Sequence, residues 1–194
     1  MAVPAEYAPV ALDEAAERIG RTEAARAGFD KTNPYAWVGF AAEHALLEAF
    51  RGASVPAASF AQGLDYDILL IDDATGARIR VEVKTRVTES GWIHPAMFDY
   101  VVVPTHDGRE PIKRSADLVI FCWWSGDAPR LLWVLGSVKG SEEFKRRATF
   151  YPENAPLPRG GWAGKGGAYA IETKQLRPLP RGLLKETEWK SPAS

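Results

Sequence analysis

The stretch DILLIDDATGARIRVEVKT, residues 67–85, decides the fold. A near-continuous apolar run over 66–71 is followed by an Asp-Asp-Ala-Thr-Gly segment, and residues 78–85 then alternate strictly between apolar and polar side chains. Apolar and alternating runs separated by turn-forming residues are typical of two antiparallel strands. The stretch therefore predicts a β-hairpin, and a turn centred between Ala74 and Thr75 would set Asp67 directly opposite Glu82.

The expected pairing of Asp67 with Glu82 indicates a chemical role for this hairpin. Directly opposed residues have Cβ atoms about 4.5–5.5 Å apart, and like charges at that distance destabilise a sheet. A divalent cation between the carboxylates would offset the repulsion, since Mg²⁺ prefers carboxylate oxygens and water. Without metal, we expect neutralisation of Asp67 to raise stability. Glu82 and Lys84 share one face of their strand, although a charged strand face by itself is more typical of a solvated surface.

The segments around the hairpin predict an α/β domain. Residues 11–28 are rich in Ala, Glu and Arg and predict a surface helix, and Asn33-Pro34 is typical of a helix start, with the helix continuing to residue 50 or 51. Ser141 is expected to cap a short helix ending near residue 149. Further strands are expected over 54–60, 116–124, 131–138 and 168–176. Residues 88–115 give no clear pattern, and the Pro- and Gly-rich residues 151–167 favour a mobile loop.

A third carboxylate is expected on the helix that starts at Pro34. Helical spacing places Glu43 in the middle of an apolar stripe that includes Phe40, Leu47 and Phe50, with Ala36 at the same side. An acid in that position needs a buried partner or a functional site. The alternative is a Glu bonded to a backbone amide or an Arg.

Composition narrows the class of protein. The chain has 194 residues, 46% of them hydrophobic and 25% charged, with a single Cys. These values are typical of a folded globular protein and exclude a disulfide scaffold and a Cys-based zinc site. No signal peptide or membrane-spanning stretch is predicted, so we expect a cytoplasmic protein.

The charge is unevenly distributed along the chain. The formal net charge is −1, but residues 139–190 hold eleven Lys or Arg against six Asp or Glu. A basic C-terminal third is compatible with a polyanion along one side, and equally with an ordinary mixed surface. We expect a helical arm over 1–32, a core over 33–177 built on one central mixed sheet flanked by helices, and a tail over 178–194.

The hairpin, with its preceding helix, resembles the signature of the PD-(D/E)xK nuclease superfamily, which includes restriction endonucleases, Holliday-junction resolvases and phage recombination exonucleases. The similar segments are Asp67-Ile-Leu-Leu, then Val81-Glu-Val-Lys-Thr, the helix segment Gly39-Phe-Ala-Ala-Glu43, and the later strand Ser115-Ala-Asp-Leu-Val-Ile-Phe. Together they span roughly residues 34–125. Tyr66 replaces the Pro of the family name, and residues 88–115 lack the helix expected after Lys84.

This resemblance implies a restriction-endonuclease-like fold and a Mg²⁺- or Mn²⁺-dependent endonuclease acting on DNA. Asp67 and Glu82 would hold the metal together with the backbone carbonyl of Val83, and Glu43 would act through water or on a second metal. Lys84 would orient or deprotonate the attacking water and stabilise charge in the transition state. A role in restriction, defence, repair or phage DNA processing and a homodimeric state are compatible with the resemblance.

Basic residues outside the hairpin are the candidates for DNA contact. We expect Lys145, Arg146 and Arg147 on the short helix, and Lys165 in the Gly-rich loop, to touch nucleic acid. Two tryptophans in predicted loops, Trp92 and Trp162, could stack on bases. Two alternatives stay open: a catalytically inactive nuclease fold that binds nucleic acid or a protein partner, and an unrelated α/β protein with a coincidental hairpin.

Overall fold

The protein folds as a mixed α/β structure. The computed structural model describes residues 8–53, 57–59, 66–71, 75–88, 99–105, 110–125, 131–158 and 160–179. Within these residues the helices are α1 (Glu14–Arg26), α2 (Pro34–Gly52) and α3 (Gly140–Arg147). The strands are β1 (Ala8–Ala11), β2 (Ala57–Ser59), β3 (Ile68–Ile71), β4 (Arg78–Thr88), β5 (Tyr100–Pro104), β6 (Leu118–Ser125), β7 (Leu131–Val138), β8 (Thr149–Tyr151) and β9 (Ala168–Glu172).

Six of these strands form the main sheet, in the order β1-β7-β6-β4-β3-β2. β4 runs parallel to β6, and the other neighbouring pairs are antiparallel. The main sheet is therefore mixed, as the sequence predicts. Its central strand β6 is buried on both faces, which explains its unbroken apolar sequence.

The two faces of the main sheet are covered differently. Helices α1 and α2 pack on the face formed by alternate residues such as Val81, Val83 and Ile120. The other face, which includes Val119 and Phe121, is covered by α3 and a second sheet in the order β5-β9-β8. The prediction of one central sheet is wrong in this respect, because β9 pairs with β5 and β8 rather than joining the main sheet.

Helix α2 begins where the sequence predicts. The Asn33 side chain accepts a hydrogen bond from the N–H of Tyr35 at 2.9 Å, and Pro34 occupies the first turn. Its buried surface is broader than the predicted stripe because α1 packs beside it. The helices approach closely at Gly20, where an added Cβ would lie 2.6 Å from the carbonyl oxygen of Trp37 and 2.7 Å from the Cβ of Ala41.

Local signals mislead at three other elements: α3, β1 and β8. Lys139, not Ser141, is the N-cap residue of α3, and the Glu143 side chain accepts a hydrogen bond from its N–H at 2.6 Å. β1, which pairs with β7, lies where no strand is predicted, and β8 lies where the expected short helix ends and the expected loop 151–167 begins. Outside the described residues lie 72–74 of the predicted hairpin turn, 89–98 and 106–109 of the segment 88–115, and the tail from residue 180.

Candidate active site

The hairpin register matches the prediction. Ile68 lies opposite Val81 and Ile71 opposite Arg78. Extending this register by one residue sets Asp67 beside Glu82. β3 begins at Ile68 while β4 continues to Thr88, so Asp67 stands where the paired part of the hairpin ends.

Asp67 is held by two donors from different parts of the chain. Its Oδ2 atom accepts a hydrogen bond from the backbone N–H of Val83 at 2.7 Å. Its Oδ1 atom accepts one from the Nζ atom of Lys113 at 2.5 Å. The Asp67 side chain is 12% exposed and that of Lys113 is 37% exposed. The carboxylate is thus largely removed from water, while the side chain of its partner is partly exposed.

Glu82 is almost completely buried, at 1% exposure. Its Oε1 atom lies 2.7 Å from the Nζ atom of Lys84, and its Oε2 atom accepts a hydrogen bond from the backbone N–H of Lys113 at 2.6 Å. A buried carboxylate needs such partners, because an unpaired one costs several kcal/mol. Lys113 therefore contacts both carboxylates, through its side chain at Asp67 and its main chain at Glu82. We call these four residues, Asp67, Glu82, Lys84 and Lys113, the hairpin cluster.

Glu43 reaches this cluster electrostatically from α2. Burial raises the pKa of Glu43 to about 8, and the negative charges of Asp67 and Glu82 act in the same direction, while Lys113 and Lys84 act against them. Glu43 is therefore coupled electrostatically to all four charged groups of the cluster. An acid with this pKa is mostly protonated at neutral pH and carries a proton that it can donate or share.

Lys113 is the residue that sequence reasoning missed. It lies in the Pro111-Ile-Lys-Arg114 segment, within the uninterpreted residues 88–115. Ile112 is fully buried and anchors this segment against the face of the main sheet that carries Glu82. Burial acts to lower the pKa of Lys113, but its bond to Asp67 and the nearby carboxylates raise that pKa above its usual value, so the side chain stays charged. An isolated Lys after one apolar residue is a weak signal, and sequence spacing alone would not identify it.

The donor set of the cluster suits a divalent cation. Mg²⁺ commonly takes one or two protein carboxylates and fills its remaining positions with water. Asp67 and Glu82 supply two carboxylates that already attract two ammonium groups. The described residues contain no group of three or more His, Cys, Asp or Glu side chains able to hold a metal ion together. Glu43 therefore fits a role through water better than one as a third direct ligand.

The predicted DNA-contacting residues of α3 are engaged in ion pairs. Lys145 lies 2.5 Å from Glu110, Arg147 lies 2.9 Å from Glu143, and Arg146 lies 3.8 Å from the same carboxylate. Glu110 precedes Lys113 by three residues, so the 110–113 segment links α3 to the hairpin cluster. Lys165 is exposed in the turn before β9.

A separate groove of about 900 Å³ runs along α1, lined by residues that include Arg18, Thr22 and Lys31. None of its lining residues belongs to the hairpin cluster. This groove is therefore separate from the candidate chemistry at the cluster.

Comparisons with known proteins add no assignment. No model of a known protein family matches the chain, and no curated protein matches it significantly. Among the described residues, none of the helices has the length and apolar character needed to cross a membrane.

Proposed function

We propose that this protein is a metal-dependent nuclease that hydrolyses phosphodiester bonds, with DNA as its substrate. The observation that carries the proposal is the convergence of Asp67 and Glu82 at the open end of the hairpin, with the Lys84 amine 2.7 Å from Glu82. Two carboxylates and a lysine in this arrangement are the groups expected for metal-assisted hydrolysis. The resemblance of these segments to the PD-(D/E)xK nucleases supports the same function.

Each residue has a distinct role in the proposed site. Asp67 and Glu82 would hold Mg²⁺ or Mn²⁺, which when bound polarises a phosphate oxygen and lowers the pKa of water. Lys84 would orient the attacking water and place positive charge near the phosphate, where negative charge builds up in the transition state. Glu43 would act through water at the site. Cleavage of DNA during restriction, defence, repair or phage DNA processing is the proposed biological setting.

Nuclease activity can be tested directly on several substrates. Supercoiled plasmid, branched DNA and RNA are incubated with the purified protein in Mg²⁺, in Mn²⁺ and in EDTA. We expect metal-dependent cleavage of DNA that Asp67→Asn and Lys84→Ala abolish. Lys174→Ala is the matched control, because Lys174 also pairs with a carboxylate, Glu172 at 2.5 Å, but lies outside the cluster. Absence of cleavage by the wild type with either metal would refute the proposal.

One observation favours a second candidate, a catalytically inactive nuclease fold that binds nucleic acid or a protein partner. All four carboxylate oxygens of Asp67 and Glu82 already have protein donors. Such pairs can serve structure alone. In that case the protein would bind DNA equally in Mg²⁺ and EDTA without cleaving it, and Asp67→Asn would change stability but not binding.

A further inference from the structure

We propose that Lys113 is an exchangeable counter-ion of the metal site: its ammonium holds Asp67 in the metal-free protein and leaves when a divalent cation binds. The inference rests on the proposed function, since it assumes that Asp67 and Glu82 bind metal. It adds a residue that the family signature does not contain, and it makes metal binding a competition within the chain.

The contacts of Lys113 support a competition at one oxygen. Its Nζ atom donates to Oδ1 of Asp67 at 2.5 Å, and the other oxygen, Oδ2, is taken by the N–H of Val83 at 2.7 Å. Among the partners of Asp67, only the Lys113 side chain can move away without disrupting the sheet, because the Val83 group belongs to β4. A hard cation that binds Asp67 would therefore compete with the ammonium for Oδ1.

The segment is built so that the ammonium can move while the backbone stays in place. Ile112 is fully buried, and the N–H of Lys113 is fixed to Glu82 at 2.6 Å. The Lys113 side chain is 37% exposed and carries its ammonium on a flexible four-carbon stem. Release of Asp67 would take the Nζ atom into solvent with no change in the main-chain contact to Glu82.

The exchange would change the net charge of the cluster. Asp67 and Glu82 carry two negative charges, and Lys84 and Lys113 carry two positive charges, so the metal-free cluster is neutral. Replacing the Lys113 ammonium by a divalent cation leaves one net positive charge. A phosphodiester group is an anion, so the exchange would prepare the site for substrate only after metal has bound.

The affinity for Mn²⁺ alone, measured by isothermal titration calorimetry, tests this competition. Lys113→Met removes the ammonium and keeps an apolar stem of similar length. We expect it to bind Mn²⁺ about fivefold more tightly than the wild type, the effect of removing a partly exposed ion pair worth about 1 kcal/mol. Arg114→Met is the matched control, because Arg114 pairs with Glu110 at 2.8 Å and lies outside the cluster, and it should leave the Mn²⁺ affinity unchanged.

A second measurement uses the wild-type protein, so it does not depend on the folding of a variant. Lysines are acetylated briefly in EDTA and in Mn²⁺, and the modified positions are quantified by mass spectrometry. Release from Asp67 should increase the labelling of Lys113 roughly threefold or more. Lys145 is the internal control, because it forms a comparable pair with Glu110 at 2.5 Å and should label equally in both conditions.

The outcomes separate this inference from the proposed function. Tighter Mn²⁺ binding by Lys113→Met, with metal-dependent labelling of Lys113, supports the exchange. If the wild type binds Mn²⁺ but Lys113→Met binds it equally or more weakly, or if Lys113 labelling does not change, the exchange is refuted and the metal site stands. If neither protein binds Mn²⁺, the metal site of the proposed function is itself refuted.

Discussion

Replacing Glu43 with Gln tests whether the α2 carboxyl lies within the electrostatic field of the hairpin cluster. Gln resembles the protonated acid but has no charge to gain as pH rises. In the folded protein, burial and the charge of Asp67 raise the pKa of Glu43 from 4.5 to about 8. In the unfolded chain the same group would titrate near its ordinary value.

This difference fixes the direction of the pH dependence. Folded protein binds the Glu43 proton more tightly than unfolded protein, so its contribution to the free energy of unfolding is fully present below pH 4.5 and is lost as pH rises to about 8. At 1.36 kcal/mol per pH unit, the interval corresponds to a ceiling of about 5 kcal/mol. Because Glu43 is not fully buried, solvent screening reduces this, and we expect about 2–3 kcal/mol.

Urea unfolding in EDTA, followed by tryptophan fluorescence, measures the effect. The free energies of unfolding of wild type and Glu43→Gln should be similar at about pH 5, and the variant should be about 2–3 kcal/mol more stable at about pH 9. Glu48→Gln is the matched control, because Glu48 lies on the same helix, is half exposed and pairs with Arg51 at 2.8 Å. Its stability difference from wild type should stay constant over this range. Parallel pH profiles for wild type and Glu43→Gln would refute the placement of Glu43 in the cluster's field.

Three further predictions address catalysis, DNA contact and packing. Lys84→Ala should lower the single-turnover cleavage rate at saturating Mn²⁺ by about 10²-fold or more; a rate within twofold of wild type would exclude Lys84 from the chemistry. Replacing the three basic residues of α3 (Lys145, Arg146 and Arg147) together with Ala should weaken DNA binding and flatten its salt dependence, because phosphate contacts release counterions. An unchanged salt slope would show that these charges serve their ion pairs instead. Gly20→Ala should lower the free energy of unfolding by about 1–3 kcal/mol, because the added Cβ would overlap α2. Gly39→Ala is the control and should cause no such loss, because an added Cβ there has no neighbour within 4 Å.

The candidate site shows which of its features can be predicted from the hairpin sequence alone. The register of β3 and β4 and the shared face of Glu82 and Lys84 follow from the alternation of the strand and the position of the turn. Both are local properties, since side-chain alternation in a strand depends only on neighbouring residues. The sequence could not show that Lys113, 46 residues from Asp67 along the chain, pairs with that carboxylate.

That distant contact reverses one expectation. From the register alone, Asp67→Asn relieves repulsion with Glu82 and raises stability without metal. In the structure Asp67 accepts charged and backbone hydrogen bonds from Lys113 and Val83, so we now expect the substitution to lower stability in EDTA. The hairpin sequence identified two carboxylates that face each other, Asp67 and Glu82. Whether Asp67→Asn raises or lowers stability depends on Lys113, which pairs with Asp67.

The same division holds for the fold. The sequence by itself determined the start of α2 at Asn33-Pro34, the whole of β7 over Leu131–Val138 and the hairpin. Helix capping, the period of buried positions and turn formation each depend on residues that are neighbours in the chain. Only the tertiary structure decided that β9 joins a second sheet and that β1 extends the main sheet beside β7. Strand partners are chosen by hydrogen bonds and packing between segments far apart in the chain, and a short strand has the same local sequence in either sheet.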